Sequence, residues 1–89
     1  MSRMDMSSRE TGEYAAQGGQ HDALFELGLN FCTGRDGTVD LVEAHKWFNI
    51  AAVKGYAEAA LYRQEVAREM SAGAIAAAQR AAREWLSAN

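Results

Sequence analysis

Proline is missing from all 89 residues of this chain, cysteine occurs once, and basic residues are outnumbered by acidic ones. Each shortage closes off a class of protein. Alanine-rich runs with no proline and no alternation of β-branched residues read as helices joined by short glycine-marked turns, and no strand is expected. The single cysteine, Cys32, has no partner within the chain, which excludes a disulfide-stapled secreted scaffold. Nine Lys and Arg against twelve Asp and Glu give a formal net charge of −3 with no basic cluster, so neither nucleic acid nor an anionic membrane surface is an expected partner. No apolar run approaches the ~18 residues of a membrane span, and the opening M-S-R-M-D-M-S-S-R-E lacks the apolar core of a signal peptide. The expected address is the cytoplasm.

Eighty-nine residues make one domain whose core is only moderately shielded from water, too small for a large catalytic cavity. The expected organisation is a flexible segment over residues 1–8 followed by a single helical domain over 9–89. A first short helix is expected from about Ser8 to Gln17, with Tyr14, Ala15 and Ala16 inward and the pair Gly18-Gly19 ending it. A second runs from about Asp22 to Cys32, apolar or small apart from the polar line of Glu26 and Asn30, and almost all of it is expected to be buried. Gly28 in its middle costs about 1 kcal/mol relative to alanine, which points to a helix crossing too close for a side chain.

The loop T-G-R-D-G-T-V-D follows, and Asp40 with Glu43 three residues later has the pattern of a capping box. It opens the central helix, Val42 to Gly55, where Leu41, Ala44, Phe48, Ala51 and Ala52, widened by Trp47 and Ile50, follow a 3.6-residue period. Such a broad stripe needs partners on more than one side. From Tyr56 or Ala57 to Met70 a further helix lines up Ala59, Tyr62, Val66 and Met70, with Ala60, Leu61 and Ala67 nearby; Glu58, Arg63, Gln64, Glu65, Arg68 and Glu69 make a solvated face. Ser71 then caps a last helix to about Ser87, with Ile75, Ala78, Ala82, Trp85 and Leu86 inward and Arg80, Arg83 and Glu84 outward. The sequence thus predicts about five helices.

Shifted by 36 residues the chain matches itself: Ala15, Ala16, Gly19 and Ala23 return as Ala51, Ala52, Gly55 and Ala59, both times at an expected helix end. A period in the thirties with two helices per unit marks helical solenoids. The runs A-x-x-x-L-G-x-x-F-x-x-G (Ala23 to Gly34) and G-T-V-D-L-V-E-A-x-x-W-F-x-x-A-A-x-x-G (Gly37 to Gly55) resemble the Sel-one-like repeats, relatives of the tetratricopeptide repeats. The resemblance covers residues 15–60. It departs after Ala59, where Arg63 and Gln64 stand in place of the family's leucine-glycine. What it implies is an all-α, short right-handed helix-turn-helix solenoid, with one complete repeat over about 20–55 and capping helices over 56–88. It further implies an adaptor or scaffold role, often bacterial.

Chemistry-bearing residues are sparse. His21, His45 and Cys32 lack zinc-site spacing, and His45 reads as a partly buried, hydrogen-bonded histidine of the central helix. Cys32 reads as a small core residue. The loop Asp36 to Asp40 lacks the repeated acidic ligands of a calcium loop, and Gly34 and Gly37 are followed by no Lys-Ser or Lys-Thr of a phosphate loop. No enzyme, cofactor or metal is therefore expected. The expected function is a protein-interaction module presenting a groove to a partner protein or peptide. Glu26, Asn30 and Arg63 are the groove residues that the family geometry implies, and Tyr56 or Tyr62 is expected as an exposed aromatic anchor, Tyr62 being the one taken as a partner-binding residue. The alternatives are a self-associating homo-oligomer, argued from the few repeats and from Trp85 and Leu86 near the end of the chain, and an enzyme or small-ligand sensor.

Overall fold

A computed structural model describes residues 12–35 and 37–89, with side chains from residue 23 onward. Helix α1 spans Gly12–Thr33, α2 Leu41–Val53, α3 Glu58–Ala67 and α4 Ala72–Ala88, and no strand occurs among the described residues. The all-helical expectation holds, but among the described residues the helices number four.

The difference lies at Gly18-Gly19, where α1 continues without a break. Glycine weakens a helix interior by about 1 kcal/mol, yet its amide and carbonyl still serve the i→i−4 ladder, so two glycines permit a stop without imposing one. The self-match at 36 residues therefore marks a helix end only at Gly55. The expected segment 1–8 and the inward placement of Tyr14, Ala15 and Ala16 lie outside the described residues and side chains.

The stop at Gly55 is a complete Schellman arrangement. Gly55 takes φ 115°, its N–H donates to Ala52 O at 3.1 Å, and the Tyr56 N–H donates to Ala51 O at 3.0 Å. This left-handed position suits glycine and turns the chain straight into α3.

At the other end of α2, Asp40 Oδ1 accepts from the Glu43 N–H at 3.1 Å. Only this half of the capping box forms. The Asp40 N–H donates instead to Phe31 O, lashing the loop to α1, and the Glu43 carboxylate accepts from Trp47 Nε1 at 3.0 Å and pairs with Lys46. Replacing Asp40 with alanine is expected to lower stability by about 1 kcal/mol, read from urea unfolding monitored by helical circular dichroism. An unchanged midpoint would show that water replaces the cap without loss.

Helix α2 packs against each of the other three, and no other pair of helices packs as extensively. Its Ala44, Phe48, Ile50 and Ala51 are fully buried. The close crossing expected at Gly28 is with Phe48: a Cβ placed on Gly28 would lie 2.5 Å from two carbons of that ring. Around Phe48, Phe25 meets Tyr56 and Tyr62 at ring-centroid distances of 4.9 Å and Phe48 itself at 5.6 Å, so one aromatic cluster joins α1, α2, the turn after it and α3. On the opposite flank Trp47 meets Trp85 edge to face at 5.5 Å, fixing α4 through its fully buried Ala78 and Ala82.

Two burial expectations fail. The second half of α1 buries Leu24, Phe25 and Gly28 but leaves Ala23 and Leu27 exposed, because among the described residues only α2 covers it extensively. Leu61 on α3 is 62% exposed. Helix α3 also ends three residues early, at Ala67, and Arg68 to Met70 continue as tighter i→i−3 turns. Ser71 Oγ then accepts from the Ala74 N–H at 3.0 Å, the cap expected for α4.

Candidate functional site

An open cleft of about 220 Å³ lies where the end of α1, the start of α2 and one face of α3 meet, lined by Cys32, Leu41, Tyr62, Glu65, Val66 and Glu69. Tyr62, Glu65, Val66 and Glu69 stand at i, i+3, i+4 and i+7, so α3 and its continuing turn supply one wall from a single helical stripe. Leu41 begins α2 and Cys32 lies one residue before the end of α1. Leu41 and Val66 give the cleft apolar surface, with Val66 buried and Leu41 half-buried. Tyr62 is 38% exposed, its ring edge-on to Phe25 and tilted 5.6 Å from Phe48, so a rigid core holds a ring that still meets solvent.

Of the four expected partner-binding residues, Tyr62 alone lines this cleft. Glu26 is exposed and lies 3.7 Å from the equally exposed Arg35, a solvent-screened pair worth little. Asn30 is half-buried with its Oδ1 enclosed and lacking a hydrogen-bond partner. Arg63 turns toward α2, where Nη1 donates to Asn49 Oδ1 at 2.8 Å. That bond joins α3 to α2 and occupies the guanidinium inside the fold, although the helical period alone places Arg63 on the solvated face.

Glu65, Glu69 and Cys32 are the cleft residues that sequence reasoning assigned elsewhere. The two glutamates read as ordinary surface because a solvated face and a cleft wall share one pattern until an opposing element is known. The signal available was their common stripe with Tyr62 and Val66. Cys32 is half-buried at the rim of the core. Burial, with the Glu69 carboxylate adding to it, pushes its thiol above the ordinary value. A thiol held protonated is a poor nucleophile and a poor metal ligand. Among the described residues no three His, Cys, Asp or Glu side chains are grouped as a metal site needs, and no described helix is long and apolar enough to cross a membrane.

His45 is more deeply buried than the partly buried histidine expected. It is 2% exposed and its Nδ1 is buried without a partner. Burial first, and the positive charge of Arg63 second, lower its pKa from the ordinary 6.5. The folded state therefore resists a proton that the unfolded chain accepts. Stability from this group is present above about pH 6.5 and is lost as pH falls from there toward the folded value. His45→Gln is expected to flatten that dependence: wild type loses stability relative to the variant as pH falls below the ordinary 6.5 in urea unfolding. Parallel curves would mean that His45 does not titrate across folding.

Compared with protein-family models, curated proteins and solved structures, the chain showed no match.

Proposed function

We propose that this chain is a non-enzymatic protein-interaction module, a short helical stack that offers an open cleft to a partner protein or peptide. The observation that carries the reading is the cleft itself: Leu41 and Val66 within it, the half-exposed ring of Tyr62 at its side and carboxylates in its wall. Apolar surface, an aromatic anchor set by the core and a polar rim are what recognition surfaces combine. The residues of α1 and α2 that resemble one Sel-one-like repeat support the same reading, with α3 and α4 as a degenerate continuation and cap of a short right-handed solenoid. An adaptor or scaffold role, often bacterial, is what that resemblance adds, by analogy of fold.

The test places a photo-crosslinking amino acid at Tyr62 and, as a control, at the outward Glu84 of α4. Reproducible crosslinks in native lysate from the first position and none from the second are expected. Identical products at both, or none at either, overturn the reading. Glu26→Arg and Asn30→Ala are expected to leave those crosslinks unchanged; their loss would move the binding surface to the polar line of α1.

The second reading is self-association. Trp85 and Leu86 do not supply a free apolar face for it, since both pack on the core. Leu61 and Val53, each 62% exposed, now favour it. Light scattering that finds a monomer at high concentration removes it.

A further inference from the structure

Resting on the reading of the cleft as a docking surface, we infer that its occupant is the arginine side chain of a partner peptide. Size is the first argument. A cleft of about 220 Å³ is smaller than the roughly 300–1,000 Å³ of pockets that hold whole small molecules, and suits one long side chain entering from an open face.

Charge is the second. Both ionisable side chains of the wall, apart from the thiol and phenol, are carboxylates: Glu65 and Glu69, one helical turn apart on the stripe that carries Tyr62. Like charges at this spacing repel, and a cation between them removes the repulsion. Among the described residues the one cation against either is Arg68, whose Nη1 lies 3.7 Å from Glu65 Oε2 with both side chains largely in solvent. Such a pair is weak and exchangeable. Glu69 has no ion pair among the described residues, and its charge reaches inward far enough to act on Cys32.

Shape selects arginine among cations. A guanidinium is flat, stacks on an aromatic face and forks its N–H groups toward two acceptors, whereas an ammonium is a compact and strongly hydrated point. Tyr62 supplies the ring, braced from behind by Phe25 and Phe48. The glutamates supply the acceptors, and Leu41 and Val66 receive the methylene stem. An acidic or wholly apolar peptide would leave both carboxylates desolvated without compensation.

The experiment selects random peptides displayed on phage against the full chain and, in parallel, against the chain carrying Glu65→Gln and Glu69→Gln. Both substitutions are isosteric and exposed, and an unchanged thermal midpoint verifies that the variant folds. The expected result is enrichment of peptides sharing one arginine. Synthetic copies lose about tenfold in affinity when that arginine is replaced by citrulline, which keeps the shape and removes the charge, and about tenfold on the double variant. Enriched peptides that share no arginine, or that bind wild type and variant alike, overturn the arginine assignment and leave the module reading standing. An absence of any enriched peptide overturns both. A dimer of the chain that dissociates in the double variant assigns the cleft to a second copy, and likewise overturns the inference.

Discussion

Replacing Phe48 with alanine is expected to destabilise the chain by about 3–5 kcal/mol. The side chain is fully buried at the centre of the helix that every other helix packs against. Truncation removes the ring contacts with Phe25 and Tyr62 and opens a void touching α1, α2 and α3. A domain of this length has about 4–13 kcal/mol of total stability at about 0.05–0.15 kcal/mol per residue. The loss is thus a large share of the whole. It corresponds to a fall in melting temperature of about 15–30 °C, and at the lower end of that stability range the variant is unfolded at room temperature. Circular dichroism melts of Phe48→Ala beside Phe48→Leu measure it, the leucine variant falling between alanine and wild type. A midpoint within a degree or two of wild type would remove Phe48 from the centre of the fold.

The second large effect runs against local propensity. Gly28→Ala in an uncrowded helix stabilises by about 1 kcal/mol; here it is expected to cost about 1–3 kcal/mol. The new methyl would sit 2.5 Å from Phe48 Cδ1 and Cε1, far inside the ~3.5–4.0 Å of ordinary carbon contact. The ring cannot swing aside freely, because Phe25 and Tyr62 brace it. Either α1 withdraws from α2 or the aromatic cluster repacks. A double-mutant cycle isolates the cause: in a Phe48→Leu background Gly28→Ala is expected to lose most of its cost. Equal costs in the two backgrounds would place the penalty in the backbone of α1 and not in the crossing.

Gly28 also shows how much of the fold was legible before the structure. A glycine in the middle of an apolar helix has few explanations, and close approach was the right one, though its partner across the gap was unnamed. Asp40, Gly55 and Ser71 were readable for a similar reason: caps act within a few residues, so their chemistry is written locally. The breadth of the α2 stripe announced a helix covered on several sides, and α2 contacts all three neighbours.

The site was less legible. Arg63 and Glu65 sit two residues apart and look alike as polar positions, yet Arg63 bonds inward to Asn49 while Glu65 walls the cleft. No local rule separates them, since the difference depends on which helix stands opposite. His45 is similar. Its place on the central helix suggested partial burial, and packing buried the ring almost completely, with Nδ1 left unpartnered.

The sequence by itself determined that the chain is helical, where α2 and α4 begin, where α2 ends, and that α2 lies at the centre, because these follow from periodicity, caps and backbone freedom within one or two turns. Tertiary structure alone decided that Arg63 ties α3 to α2 and that Cys32, Tyr62 and two glutamates share a cleft. Those outcomes depend on contacts between residues far apart in the chain, whose strength is set by the distance and burial that packing imposes and not by their neighbours in sequence.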